Sequence, residues 1–108
     1  MRAELVSGGT AGVFHGEGAF WDAATGALRF VDMLRGDVLT WDGRALRRTH
    51  VSDVAAVIRA RAGGGYVIAT ERGFALTDGE LTVTSEIPVF SESGLRMNEG
   101  ACDAAGRF

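Results

Sequence analysis

Gly63-Gly64-Gly65-Tyr66-Val67-Ile68-Ala69-Thr70-Glu71-Arg72-Gly73-Phe74-Ala75-Leu76-Thr77-Asp78-Gly79 is the stretch on which the architecture turns, because an earlier stretch has the same layout. There Thr25-Gly26 precedes Leu28 to Asp32, Arg35-Gly36 leads into Val38 to Trp41, and Asp42-Gly43 closes the run. The apolar runs are short and rich in Val, Phe, Thr and Trp, so they read as strands between tight turns. Arg48 to Val51 and Leu81 to Ile87 follow as the outer strands of the two units. A repeat of roughly 40 residues with four strands per unit is the pattern of β-propeller blades. Leu95 onward begins a third unit. The expected fold class is all-β: a partial propeller of two four-stranded blades and the start of a third, with residues 1–108 in one domain.

One segment argues against the repeat. Residues 52–62 carry Val54, Val57 and Ile58 at helical spacing, with Ser52 or Asp53 as a possible N-cap and Gly63 as a stop. The repeat instead requires the innermost strand of the second blade here, where both faces are buried and strands become uniformly apolar. The repeat takes precedence, and a strand is expected.

The totals agree with a small globular β protein. The chain has 108 residues, 46% hydrophobic and 23% charged, with one proline and a net charge of −3. Its 16 glycines suit a fold with many tight turns. No basic stripe suggests nucleic acid, and no polybasic patch suggests a membrane surface. Residues 1–10 lack the apolar core of a signal peptide, and no run is long enough to span a bilayer. Cys102 is the only cysteine, so no internal disulfide can form. A soluble cytoplasmic protein is the expectation.

The candidate site comes from the register of the units. Aligning Asp22-Ala23-Ala24-Thr25-Gly26 with Asp103-Ala104-Ala105-Gly106 places Glu17 opposite Asn98, with an apolar residue near Ala55 between them. Innermost strands line the channel of a propeller, so these two oxygen-bearing side chains are expected to converge.

His15-Gly16-Glu17-Gly18-Ala19-Phe20-Trp21-Asp22, then Leu28 to Asp32, resembles the opening of the SMP-30/gluconolactonase/LRE-like family. Gly64 to Gly73 is similar to its second blade, and Arg96-Met97-Asn98-Glu99-Gly100 with Asp103 and Gly106-Arg107-Phe108 resembles its Arg-x-Asn-Asp-Gly segment. The resemblance implies a six-bladed propeller that hydrolyses sugar lactones with one divalent cation. That cation would be calcium first, with zinc, magnesium or manganese as alternatives. It implies Glu17 as a metal ligand and Arg96 and Asn98 as substrate contacts. It also implies that the chain is the N-terminal part of the propeller, with the remaining ligands and the catalytic base in later blades. Two positions depart from the family pattern: Ala19 stands where proline is usual, and Glu99 where aspartate is usual.

A hard cation held by carboxylate and amide oxygens polarises a lactone carbonyl and stabilises the oxyanion formed when water attacks. Arg96 can donate to substrate oxygens. Gly-x-Ser-x-Gly does not occur, so a serine elbow is excluded. The competing readings are a non-catalytic binding or scaffold propeller and a different ester hydrolase on the same fold. Other residues take plainer roles. Asp22, Asp42, Asp78 and Asp103 are expected to cap turns, and Trp21 and Trp41 to pack between blades. Cys102 is expected to be a small buried hydrophobe, and His15 a packed or solvated residue. Exposed blade edges are expected to favour self-association.

Overall fold

The computed structural model describes residues 1–5 and 12–108. Its strands are β1 (Gly16–Asp22), β2 (Ala27–Asp32), β3 (Asp37–Trp41), β4 (Leu46–His50), β5 (Val57–Ala60), β6 (Tyr66–Ala69), β7 (Gly73–Thr77) and β8 (Val83–Pro88). They form two four-stranded sheets, ordered β1-β2-β3-β4 and β5-β6-β7-β8, with every neighbouring pair antiparallel. These are the two expected blades. Among the described residues, no helix is long and apolar enough to cross a membrane.

The ambiguous segment is a strand, as the repeat required. Ala55, Ala56, Val57 and Ile58 are all fully buried, and Val57 and Ile58 open β5. An amphipathic helix would have kept a polar face in water. Here blade one packs against the Ile58 face and Gly100, in the segment after blade two, lies against Val57, so consecutive apolar residues are all used.

The aspartates at the turns do what their spacing suggests, since a short acceptor can take amides two or more residues ahead. Asp42 Oδ1 accepts from the amides of Arg44 and Ala45, each at 2.9 Å. Asp78 Oδ1 accepts from Glu80 and Thr82, and Asp103 Oδ1 from Ala105 and Arg107, again at 2.9 Å.

The passage between blades is fixed by carbonyls in the loop between the second and third strands. The carbonyl of Gly36 accepts from Val51 N (2.9 Å) and Ser52 N (3.3 Å), and that of Met33 from Ala55 N (3.0 Å). Gly36 has φ +66°, and a Cβ there would overlap the Ser52 carbonyl oxygen, so only glycine fits. The second blade repeats the device. Arg72 O accepts from Val89 N (3.0 Å) and Phe90 N (3.2 Å), and Glu71 O from Met97 N (2.9 Å). The chain therefore leaves blade two along the path by which it left blade one. Residues 89–108 enter no strand, since none pairs with a neighbouring strand and an unpaired strand has no ladder. The Asp103 turn still repeats the Asp22 turn: Gly106 N donates to Asp103 O at 2.9 Å, as Gly26 N does to Asp22 O at 2.8 Å.

The core lies between the blades. Directly paired residues share a sheet face. The column Val31–Val38 of blade one therefore meets the columns Ile58–Ile68–Ala75 and Ala60–Tyr66–Thr77 of blade two. Each fully buried side chain of this kind contributes about 1.5–3 kcal/mol.

Two plain expectations fail. Trp21 is 62% exposed, because its column Trp21–Leu28–Trp41–Leu46 lies on the face of blade one turned away from blade two. Cys102 is exposed, because it lies in the segment that joins no sheet.

Candidate functional site

Glu17 is the second residue of β1, and the strand is irregular just after it. Glu17 pairs with Val31 but Phe20 pairs with Arg29, so one extra residue is inserted between them. Gly18, at φ +59°, takes the left-handed conformation that such a bulge uses. Ala19, at the position where proline is usual, lies within the bulge, where proline costs little.

The bulge also brings the inner strands together. A Cβ on Gly18 would stand 3.6 Å from the Ala56 carbonyl and 3.7 Å from Val57. One on Gly100 would stand 3.3 Å from Val57 Cγ1. Val57 thus has Gly18, next to Glu17, on one side and Gly100, two beyond Asn98, on the other. Counted back from Asp42 and Asp78, the pairing columns Glu17–Val31–Val38 and Val57–Ala69–Phe74 are equivalent. The residue of blade two level with Glu17 is therefore Val57, two on from Ala55. Alignment on turn residues alone does not register a bulge.

The residues around the site fall into two groups. The Glu17 carboxylate is 44% exposed, with His15 Nε2 at 3.6 Å from Oε1. Arg96 Nη1 donates to Met97 O and to Asn98 Oδ1, both at 3.1 Å. The structure thus brings Arg96 and Asn98 together; it records no hydrogen bond between Asn98 and Glu17. Arg96 takes one acceptor site of Asn98 Oδ1, and the Asn98 NH₂ group is left to donate to a ligand. Glu99 is tied into blade two: Oε1 accepts from Gly100 N at 2.9 Å and lies 3.7 Å from Arg59 Nη2. Arg59 in turn lies over the Phe20 ring of β1 at 5.7 Å. Phe20, Arg59 and Glu99 therefore link the first two inner strands to the segment that follows blade two.

Metal fit is partial. Glu17 offers one hard carboxylate oxygen of the kind calcium takes, but calcium needs six to eight ligands. Among the described residues no group of three or more His, Cys, Asp or Glu side chains could hold a metal.

Two supporting clusters escaped the sequence reading. The first centres on Asp32, which is 0% exposed. It accepts from the amides of Phe14 (3.0 Å) and His15 (2.8 Å) and from Arg48 Nη1 (3.0 Å). Burial pushes this carboxyl up, but these donors outweigh it and hold it below the usual range. Arg48 also reaches Asp37 at 2.6 Å, which His50 Nδ1 approaches at 2.8 Å. Asp32 thereby anchors the two residues that lead into β1 and Glu17.

The second cluster is Asp22, which does much more than cap a turn. Its Oδ2 accepts from Thr25 Oγ1 (2.7 Å), Arg29 Nε (2.9 Å) and Tyr66 OH (2.6 Å), the last from the other blade. Arg29 also donates to Thr40 at 2.8 Å and lies 4.5 Å from the Tyr66 ring centroid. One signal in the sequence could have found it: Arg29 is in phase with Val31 on an alternating strand, which puts a guanidinium on the inward face.

An arc of propeller blades with an acid, an amide and a guanidinium near adjoining inner strands is the class that fold and geometry define. The chain belongs to the SMP-30/Gluconolactonase/LRE-like family, whose model matches residues 15–108. It is similar to regucalcin of Danio rerio, with 29% identity over 96 residues. That match covers 86% of this chain and 32% of the relative, so the chain spans less than half the length of the curated protein it resembles.

Proposed function

We propose that this chain supplies the first metal ligand and the substrate contacts of a divalent-metal-dependent sugar-lactone hydrolase. The observation that carries the reading is Val57 held between Gly18 and Gly100, which brings the backbone beside Glu17 and the backbone beyond Asn98 against one inner strand. Glu17 would hold the cation, calcium in the first instance, through its carboxylate. When bound, such a cation supplies polarisation of the lactone carbonyl. Arg96, steadied by Met97 O and Asn98 Oδ1, points its remaining N–H groups at substrate oxygens. The Asn98 NH₂ donates to a sugar hydroxyl. Family membership favours this over a non-catalytic scaffold.

The test is a titration of the chain with Mn²⁺ followed by amide NMR, because paramagnetic broadening reports even weak binding and says where it occurs. The amides of Glu17, Gly18, Val57 and Asn98 should broaden first. Glu17→Gln should weaken binding at least about tenfold, or about 1.4 kcal/mol. Broadening centred on Asp42, Asp78 or Asp103, or a Glu17→Gln chain that binds as well as the parent, would sink the reading. Gluconolactone hydrolysis, with and without chelator and beside a panel of other esters, separates lactonase from general esterase. Under the scaffold alternative neither metal nor Glu17→Gln changes any turnover.

A further inference from the structure

His15 immediately precedes β1, and its backbone is held on both sides. Its amide donates to Asp32 Oδ1 at 2.8 Å, and its carbonyl accepts from Met33 N at 2.8 Å. Two residues on, Glu17 is paired with Val31 in the β1–β2 ladder. That spacing puts two side chains on the same side of an extended chain. The tips of the imidazole and the carboxylate, Nε2 and Oε1, accordingly stand 3.6 Å apart, with the side chains 32% and 44% exposed.

The separation is too long for a shared proton and close to what a small cation needs. Hydrogen bonds from nitrogen to oxygen run to about 3.2 Å. A cation with bonds of about 2.0–2.2 Å to each atom sets them about 3.4 Å apart at the tetrahedral angle. Among the described residues the structure records no hydrogen bond to either side chain, so a cation between them displaces only water. The donor set also bears on which cation enters. Calcium takes oxygen ligands, and an imidazole nitrogen is a poor member of such a set. A nitrogen beside a carboxylate suits zinc and its first-row neighbours.

We propose that His15 is a second ligand at the Glu17 site, through Nε2, so that this chain selects zinc or a neighbouring first-row cation over calcium. The inference rests on the reading of Glu17 as a metal ligand and adds the nitrogen that sets the preference. Water completes the coordination around the two side chains.

The test is a zinc titration of the whole chain followed by amide NMR and by long-range ¹H–¹⁵N correlation of the imidazoles, with calcium in parallel. The chain has two histidines, and His50, on β4 with Nδ1 2.8 Å from Asp37 Oδ1, is the internal control. Zinc should shift His15 Nε2 and the amides of Glu17 and Gly18 together while His50 stays in place. It should bind at least about tenfold more tightly than calcium. His15→Ala, which keeps the amide that Asp32 holds, should weaken zinc binding at least about tenfold and calcium binding less than about twofold. Circular dichroism checks the fold of the variant, and if it does not fold, the Nε2 shift in the parent decides alone. Zinc that moves Glu17 but leaves His15 Nε2 in place overturns the inference and leaves the Glu17 reading standing. So does a folded His15→Ala chain that binds zinc as tightly as the parent. No shift at Glu17 with either cation, or a Glu17→Gln chain that still takes zinc undiminished on His15, overturns both.

Discussion

Asp22→Ala should lower folding stability by about 3–5 kcal/mol, the cost of stranding a buried guanidinium without its partner. Asp22 is 3% exposed and Arg29 6%, so little water can replace the lost carboxylate. Tyr66 OH loses its acceptor in the same stroke, and with it the polar tie between the blades. For a domain whose total stability is about 5–15 kcal/mol, this is a large fraction of the margin. Urea unfolding followed by circular dichroism measures it. Tyr66→Phe, which removes one donor and strands no charge, should cost much less. Asp22→Ala combined with Arg29→Met should recover part of the loss, because an apolar pair avoids desolvating ions. The acid limb gives a second readout. Burial alone would raise the Asp22 carboxyl, but hydrogen bonds from Tyr66, Thr25 and Arg29 outweigh it and bring the pKa from 3.8 to about 2. Between those values the unfolded chain binds more protons than the folded one. The stabilisation, about 2 kcal/mol, is fully present above pH 4 and lost as pH falls through 2. The alanine variant should therefore show a shallower loss of stability from pH 4 to pH 2. A variant within 1 kcal/mol of the parent at pH 7 would show that the blades are held by apolar packing alone.

The contrast between what the sequence disclosed and what it hid has a physical basis. Blades were legible because strand alternation, Asp-Gly turns and a repeated spacing are local, and the repeat overruled the helical pattern at Val54, Val57 and Ile58. Outer-strand limits were off by one or two residues: β4 runs Leu46–His50 and β8 Val83–Pro88. At those ends Leu81 turns back with φ +65°, and Val51 bonds to Gly36 instead of continuing the ladder. The neighbourhoods of Glu17 and Asn98 were legible only through the repeat. The bulge at Gly18 was not, since one inserted residue leaves composition and turn spacing unchanged. The carboxylates of Asp22 and Asp32 were the least legible. An aspartate beside a turn looks the same in sequence whether it caps that turn or reaches 44 residues along the chain to a tyrosine.

That distinction gives the last prediction its force, because Asp32 connects stability to the candidate site. Its carboxylate is the acceptor for two successive amides, Phe14 and His15, immediately before β1 begins at Gly16. Asp32→Ala leaves both amides beneath a small apolar side chain. Each unsatisfied donor costs about 1–3 kcal/mol, so a loss of about 3 kcal/mol is expected. Arg48 softens the effect, since it keeps Asp37 and the Gly12 carbonyl at 3.0 Å. The damage should be local. Hydrogen exchange at Phe14 and His15 should accelerate about a hundredfold, while Val67 and Ile68 in blade two should change far less. Asp32→Asn keeps the shape but replaces one acceptor with a donor, so it should satisfy one amide and oppose the other, giving an intermediate result. Because Glu17 follows His15 by two residues, loosening this anchor should also spread the Mn²⁺ broadening away from Glu17 without removing the carboxylate itself. Unchanged exchange at Phe14 and His15 would mean that the β1–β2 ladder alone fixes Glu17. Local loosening with intact blade two would instead make Asp32 the residue that turns a folded blade into a positioned ligand.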